Sequence, residues 1–560
     1  MRTPKAQIIL GYTEVYNEEP PSDRISLIQG IDRKHLLVEI AGLNYRIKPK
    51  RKIAYDNSEK FQLAELEYFS PTNDIYQKYL TIFDKHRNTS DGTPIYFSHQ
   101  GCLFAMEEIV NCEKVTEVKG FKMAKPEIWE AILKYFLAVN SYITFYKLQD
   151  MSNPGFEELN PRLLPLNELT VETDPLYTAF RGFWLLQHLS NTSKYQDDLN
   201  LYFQETYGIA PGQFIYNLLN LYFTNEQVNE DLDFVYKPAE KALLFIEQLS
   251  RNYANTETIK LLSIRKYPLI KIDEGEFILT DAVNLIEKSY NQFLNDFWFD
   301  WLKIKTDDQG KIIYNISEYH SEFGRFFECY VKVLFDSCFS NYRHSKLLMF
   351  DDLKVPNSTG DVEIADIYLR CGNKVLIGEV KSGYIYDKAK YGGDVDALYK
   401  NDREKFFEDF GVNQVISQIS KLVNNISRLD PGFPFGHQLT IYPVIVFNDK
   451  ALQTPLIADV FDKRFSELTT SMKLQKMNLK PLSIIHINDL ERLEKVLCES
   501  PKHIWQILYY HSKDKRFIPA FYSTVFHFLQ GTKYSQRIIK LHEKLILSYG
   551  PKDDLNQLSL

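Results

Sequence analysis

Hydrophobic and polar positions change period several times along the chain, and each change marks an expected part of the fold. Residues 1–120 mix short alternating runs, AQIILGYTEV and HLLVEIAG among them, with polar turns. That pattern predicts a β-rich N-terminal module. From 121 to 305, long segments place apolar residues three and four apart: PEIWEAILKYFLAVNSYITFY, GQFIYNLLNLYF and PAEKALLFIEQLSRNYA. A mainly helical domain, for recognition or regulation, is expected there. Inside it, YPLIKIDEGEFILT reads as a hairpin turning at Asp273 to Gly275, followed by an aromatic-rich helix. KTDDQGK, at 305–311, has the polar, glycine-containing composition of an interdomain connection.

Residues 312–500 begin with SEFGRFFECYVKVLFDS, whose stripe of Phe323, Phe326, Phe327, Tyr330, Val331 and Leu334 suits a helix lying on a sheet. Strands VEIADIYL and KVLIGEVKS follow, then a polar stretch, the helix GVNQVISQISKLV, the strand QLTIYPVIVF, and LSIIHIN leading into DLERLEKVL. This order predicts an α/β domain with a mixed central sheet flanked by helices, and residues 501–560 a helical extension.

Composition changes this picture only at the margins. A chain of 560 residues exceeds one ordinary core, so several domains are expected. Net charge of −8 argues against a protein that coats nucleic acid with its whole surface, while leaving room for a local basic groove. The six cysteines form no CxxC pair, which removes zinc modules and a disulfide framework and predicts reduced, mostly buried thiols. No apolar run has the length of a signal peptide or membrane span, so a cytoplasmic protein without membrane contact is expected. GxxxxGK[ST], HExxH and GxSxG are absent, so an ATP-driven step would need a partner ATPase or helicase.

The chemistry gathers around KVLIGEVKS. Strand alternation puts Glu379 and Lys381 on one face. Alone this says little, since acidic-x-Lys should occur by chance about nine times in such a chain. Gly372-Asn373, however, suits a two-residue hairpin turn, and pairing Cys371 with Lys374 sets Asp366 directly opposite Glu379, with Cβ atoms about 5 Å apart. Adjacent anions repel unless a cation lies between them, and hard oxygen ligands favour Mg²⁺ or Mn²⁺. The same register turns Asp361 and Glu363 to the opposite face unless a bulge intervenes. Glu328, bordering the apolar stripe of its helix, is placed to reach a metal on the sheet, although a border glutamate is more often only solvated.

With these residues in place, the segment from 318 to about 500 resembles the PD-(D/E)XK nuclease superfamily, the fold of many restriction enzymes. The resemblance rests on Gly324-x-x-Phe327-Glu328-x-Tyr330-Val331, Ala365-Asp366, Glu379-Val380-Lys381, and Gln414 with Gln418. It departs where Ala365 replaces proline and where a polar insertion runs from Gly383 to Phe410. The resemblance implies metal-dependent phosphodiester hydrolysis. Asp366, Glu379, the Val380 carbonyl and Glu328 would hold Mg²⁺ or Mn²⁺, Lys381 would activate water, and Gln414 or Gln418 would steady substrate or ligands. DNA is the expected substrate, with RNA equally compatible with the chemistry, and a homodimer would let both strands be cut. An elaborate N-terminal half on one nuclease domain also resembles restriction and anti-phage effectors, an argument by analogy.

Two readings of other residues stay open. Lys388, Lys390, Lys400, Arg403 and Lys405 suit a track for a phosphate backbone or a solvated loop interleaved with acids. Lys513, Lys515, Arg516, Lys533, Arg537, Lys540 and Lys544 suit a groove-lining region or a charged surface. Phe293, Phe297, Trp298 and Trp301, at helical spacing, read as core rather than as a base-stacking platform. The competing function is a non-catalytic nucleic-acid-binding or scaffold subunit of a larger complex, in which the nuclease fold persists without turnover.

Overall fold

A computed structural model describes residues 7–50, 55–89, 92–116, 118, 126–148, 171, 173–192, 194–223, 234–251, 261–343, 345–357, 360–383, 407–434, 438–453, 457–470, 477–513, 518–529 and 534–550. The chain is mixed α/β and divides into two compact units, one from residues 1–154 and 193–297, the other from 155–192 and 298–560.

The first unit is mainly helical from its beginning, which corrects the expected β-rich module. HLLVEIAG lies inside a helix, Arg33–Ile47, that buries Leu36, Ile40, Leu43 and Ile47. Those positions recur at four, three and four, the helical period. Eight residues read alone were too few to separate that period from alternation. Asp32 caps the helix, accepting from the His35 N–H at 3.0 Å. Among the described residues, the strands of this region are Gln7–Ile9 and Thr93–Ile95, paired in parallel. The helices expected further on stand at Pro126–Leu148, Pro211–Phe223 and Glu240–Gln248. The hairpin at 273–275 is also present: Leu269–Asp273 runs antiparallel to Glu276–Leu279, with Gly275 at φ +71°. Phe293 and Phe297 are buried and stacked on each other, 5.5 Å between centroids, so both serve as core.

The second unit holds the sheet. Its elements are α1 (Pro175–Asn191), α2 (Ile316–Phe339), β1 (Ser345–Met349), β2 (Lys354–Asn357), β3 (Gly360–Glu363), β4 (Ile367–Cys371), β5 (Lys374–Lys381), α3 (Val412–Leu429), β6 (Leu439–Phe447), α4 (Ile457–Thr469), β7 (Met477–Leu479), β8 (Ser483–His486), α5 (Ile487–Glu499), α6 (His503–His511), α7 (Phe521–Val525) and α8 (Gln536–Tyr549). The main sheet runs β7-β6-β5-β4-β1, and β8 pairs with β6 beyond β7. β1, β4 and β5 are antiparallel neighbours, whereas β5, β6, β7 and β8 run parallel. A parallel β5–β6 pair requires a crossover, and α3 lies in it. One face of β5, through Val375 and Ile377, joins Val415, Ile419 and Leu422 of α3 and Phe461 and Phe465 of α4 in a continuous core. Each such fully buried aliphatic side chain stabilises the fold by about 1.5–3 kcal/mol.

Two differences from the sequence expectation shape this unit. VEIADIYL is not one strand. It breaks at Ile364 to Asp366, and its first part pairs with β2 in a separate ribbon. β1 was not anticipated, being a short edge strand with four half-buried positions and no alternation.

Helix α1 falls within the stretch read as the helical domain 121–305, yet its contacts tie it to the second unit. Arg181, 1% exposed, sets Nη1 2.9 Å from Glu491 Oε2 and donates from Nη2 to Asn488 Oδ1 at 3.0 Å. Glu491 also accepts from the Tyr330 hydroxyl at 2.6 Å. Arg537 grips Glu494 through Nε and Nη2, both at 2.8 Å, so this arginine is an internal clamp rather than part of a groove-lining surface. Four helices, α1, α2, α5 and α8, are thus cross-linked by charges held away from water.

Breaking a buried pair from one side leaves an uncompensated charge, which costs about 3–5 kcal/mol. Arg181→Met should therefore lower the urea-unfolding free energy by about that amount, and adding Glu491→Gln should recover at least half of it. Strictly additive losses would show that the two groups are not coupled.

Candidate functional site

The site is built from a turn outward. Gly372, at φ +60°, closes the β4–β5 hairpin, and the ladder pairs Cys371 with Lys374, Leu369 with Leu376 and Ile367 with Gly378. That is the register expected from the two-residue turn. Asp366 stands one residue beyond the end of the ladder. Its N–H donates to the Gly378 carbonyl at 3.1 Å, and its Oδ2 accepts from the Val380 N–H at 2.7 Å. The aspartate thus holds both peptide neighbours of Glu379.

Glu379 is buried, and each of its carboxylate oxygens has a partner. Lys381 Nζ lies 2.8 Å from Oε1, and the Gln418 amide of α3 donates to Oε2. Gln418 is buried, whereas Gln414, one turn earlier, is exposed. The two glutamines therefore separate: Gln418 holds Glu379, and Gln414 lies beside Gly411.

Gly411 was not singled out in the sequence and matters here. It caps the start of α3 at φ +91°, a conformation that side-chain-bearing residues rarely adopt. A Cβ there would lie 3.1 Å from Lys381 Cε and 3.2 Å from Glu379 Cγ. The only available signal was a glycine just before a helical run, which marks many helix starts that carry no site.

Glu328 lies on α2, exposed. One turn earlier, Gly324 lacks the Cβ that would sit 3.4 Å from Ser382 Oγ, so the helix comes close to the outgoing end of β5. Partial burial of its carboxyl, and then the charges of Glu363 and Glu379, raise Glu328 above its ordinary range. The Glu363 charge is felt at both Glu328 and Asp366. VEIADIYL breaks at Ile364 to Asp366, so the alternation that set Glu363 on the opposite face does not carry past the break.

Asp366 is the most perturbed of these groups. Burial first, then the Glu379 charge, pushes its carboxyl up to about 8, against the opposing pull of the Val380 N–H. Two carboxylates so placed do not both ionise at neutral pH without a cation.

No family model, no curated protein and no solved structure matches the chain. The site must be read from its own geometry.

The donor set suits Mg²⁺ or Mn²⁺ chemically: hard carboxylate oxygens, no thiolate or imidazole, and an Asp366 carboxyl that a cation would relieve of its proton. Among the described residues, no three His, Cys, Asp or Glu side chains form a ready group for a metal. Mg²⁺ commonly takes only one or two carboxylates and keeps several waters, so Asp366 and Glu379 fit it as a pair. No helix among the described residues is long and apolar enough to cross a membrane. The basic residues Lys388, Lys390, Lys400, Arg403, Lys405, Lys515, Arg516 and Lys533 lie outside the described residues.

The raised Asp366 carboxyl has a signed consequence for stability. The native state keeps a proton that the unfolded state, with an ordinary aspartate near 3.9, releases, so stability falls as pH rises from about 4 to about 8. Asp366→Asn should remove this slope and exceed the wild type at pH 8 by on the order of 1–3 kcal/mol in urea melts. Millimolar Mg²⁺ should stabilise the wild type at pH 8 and leave the variant unchanged. Parallel pH profiles for the two proteins would show that Asp366 is not the titrating group.

Proposed function

We propose that the chain is a divalent-metal-dependent nuclease of the PD-(D/E)XK type, with residues 312–500 as a restriction-endonuclease-like domain that hydrolyses phosphodiester bonds, DNA first among them. One observation carries the reading: Asp366 and Glu379 lie side by side at the end of β5, with Lys381 on Glu379 and Gln418 behind it. Repelling carboxylates are costly in a sheet, and a cation-dependent reaction gives them a use.

Asp366 and Glu379, with the Val380 carbonyl and Glu328, would hold the ion. A bound Mg²⁺ would polarise the scissile phosphate and acidify the attacking water. Lys381 supplies a cation beside Glu379, placed to orient that water and to face the negative charge that builds on the phosphate oxygens. Gln418, fixed in the core of α3, holds Glu379 in one orientation. The first unit then serves recognition or control, and the whole suits a restriction or anti-phage effector working as a homodimer or with an ATPase partner.

A second reading, a nucleic-acid-binding or scaffold subunit without turnover, draws on one feature. Both Glu379 oxygens already have partners within the chain.

Cleavage assays on plasmid, linear and single-stranded DNA and on RNA, with Mg²⁺, Mn²⁺ or EDTA, separate the two. The nuclease reading expects metal-dependent cutting that falls about 100-fold or more in Glu379→Ala and in Lys381→Ala. Metal binding that depends on Asp366 and Glu379 but supports no cutting would favour the scaffold reading. No metal binding at all would overturn the site.

A further inference from the structure

The sequence predicted six reduced, mostly buried thiols, but the structure leaves Cys329 and Cys498 exposed and brings one of them to a partner. Cys338, buried near the end of α2, and Cys498, exposed near the end of α5, lie 160 positions apart with their sulfurs 3.9 Å from each other. Ser337 lines the same spot: its hydroxyl is 3.8 Å from Cys338 Sγ, and its carbonyl accepts from the Cys498 thiol at 3.4 Å. A disulfide needs an S–S distance of about 2.05 Å, which a modest side-chain movement at an exposed helix end can supply.

We infer that Cys338 and Cys498 form a redox modification site, in which peroxide joins the two thiols into a disulfide that fastens α2 to α5. The exposed sulfur is the one an oxidant meets first. Its environment favours the reactive form, since the Cys338 thiol beside it draws Cys498 down to about 7. The Cys498 thiolate attacks one oxygen of hydrogen peroxide and the O–O bond breaks. The displaced hydroxide takes up a proton and leaves as water, and the sulfur becomes a sulfenic acid. Cys338 sulfur then attacks it, forming the S–S bond and breaking the S–O bond. The second hydroxide leaves as water with the Cys338 proton. Two thiols and one peroxide thus give one disulfide and two waters, with two electrons passing from sulfur to oxygen.

The consequence is mechanical. Helix α2 carries Glu328 and Gly324 toward the end of β5, and α5 carries Glu491 and Glu494. A covalent link between their C-terminal ends closes a long loop and restricts the unfolded chain. This inference stands on the sulfur geometry and is independent of the nuclease reading.

The test uses the full chain, reduced and then exposed to one equivalent of hydrogen peroxide, alkylated, digested and weighed by mass spectrometry. The expected main product is a peptide linked through Cys338 and Cys498, with the exposed Cys329 alkylated as before. Cys338→Ala removes both the resolving thiol and the neighbour that lowers Cys498, so no disulfide should form and Cys498 should give a dimedone-trapped sulfenic acid more slowly than the wild type oxidises; Cys498→Ser should leave Cys338 free. Oxidation should raise the Tm of the wild type by a few degrees, reversibly with dithiothreitol and not in Cys498→Ser. If Cys498 proceeds to sulfinic acid with Cys338 still free, or if Cys329 is oxidised first, the proposal fails. Because Cys498 is exposed, its serine variant should fold and keep the test decisive.

Discussion

Two carboxylates held at the end of a sheet, one on each side of a strand pair, define what the surrounding structure must accomplish. Left alone, Asp366 and Glu379 would repel each other and drive the ends of β4 and β5 apart. The protein answers with main-chain and side-chain hydrogen bonds that leave no room for such drift. Asp366 takes the N–H after Glu379 and gives its own N–H to the carbonyl before it. Glu379 is held by an ammonium and an amide from two directions. The remaining imbalance appears as the proton retained by Asp366. A site that must store this much electrostatic tension needs rigid elements around it, and β5 is an interior strand, with neighbours on both sides and a buried face against α3.

Helix α2 carries that requirement to the rest of the second unit. Glu328 and Tyr330 are two residues apart and so point about 200° apart around the helix. One side of α2 faces the site, and the other is bound through Tyr330 to Glu491 and, beyond it, Arg181. Trp184 adds an edge-on ring contact with Tyr330 at 5.8 Å. Buried ion pairs are poor sources of net stability, because desolvation offsets most of their attraction. Their better-attested use is to fix one arrangement among several of similar packing. Here they fix how α1 and α8, distant in sequence, lie against the helix that carries Glu328.

What could be read from the sequence was whatever local rules determine. The register of β4 on β5 follows from a glycine-asparagine turn and a period of two, and it holds residue by residue up to Ile367. The stripe of α2 holds as well, with Phe323, Phe326, Phe327 and Tyr330 all buried. Failures came where local rules meet a competing demand. Ile364 lies between β3 and β4, and its N–H bonds to the Leu353 carbonyl just before β2, so alternation cannot be counted through VEIADIYL as one strand. HLLVEIAG satisfies two periods within eight residues, and only burial against distant chain decides between them. The clamp role of Arg537 and the close approach at Gly411 were not legible for a different reason, since each depends on partners more than 25 positions away.

The separation of Gln414 from Gln418 shows how one helix can be both core and site. In α3, Val415, Ile419, Leu422 and Ile426 repeat at four, three and four and anchor the helix on β5. Gln418, next to Ile419, is carried into the same interior, where an unpaired amide would be costly; Glu379 supplies the acceptor. Gln414, exposed one turn nearer the N-terminus, is under no such constraint. The burial that orders α3 therefore separates the two glutamines: the inner one sets the geometry of a carboxylate, and the outer one stays exposed beside Gly411. Gly411 completes the arrangement: its φ of +91° suits a residue without Cβ, and a Cβ there would crowd Lys381 and Glu379.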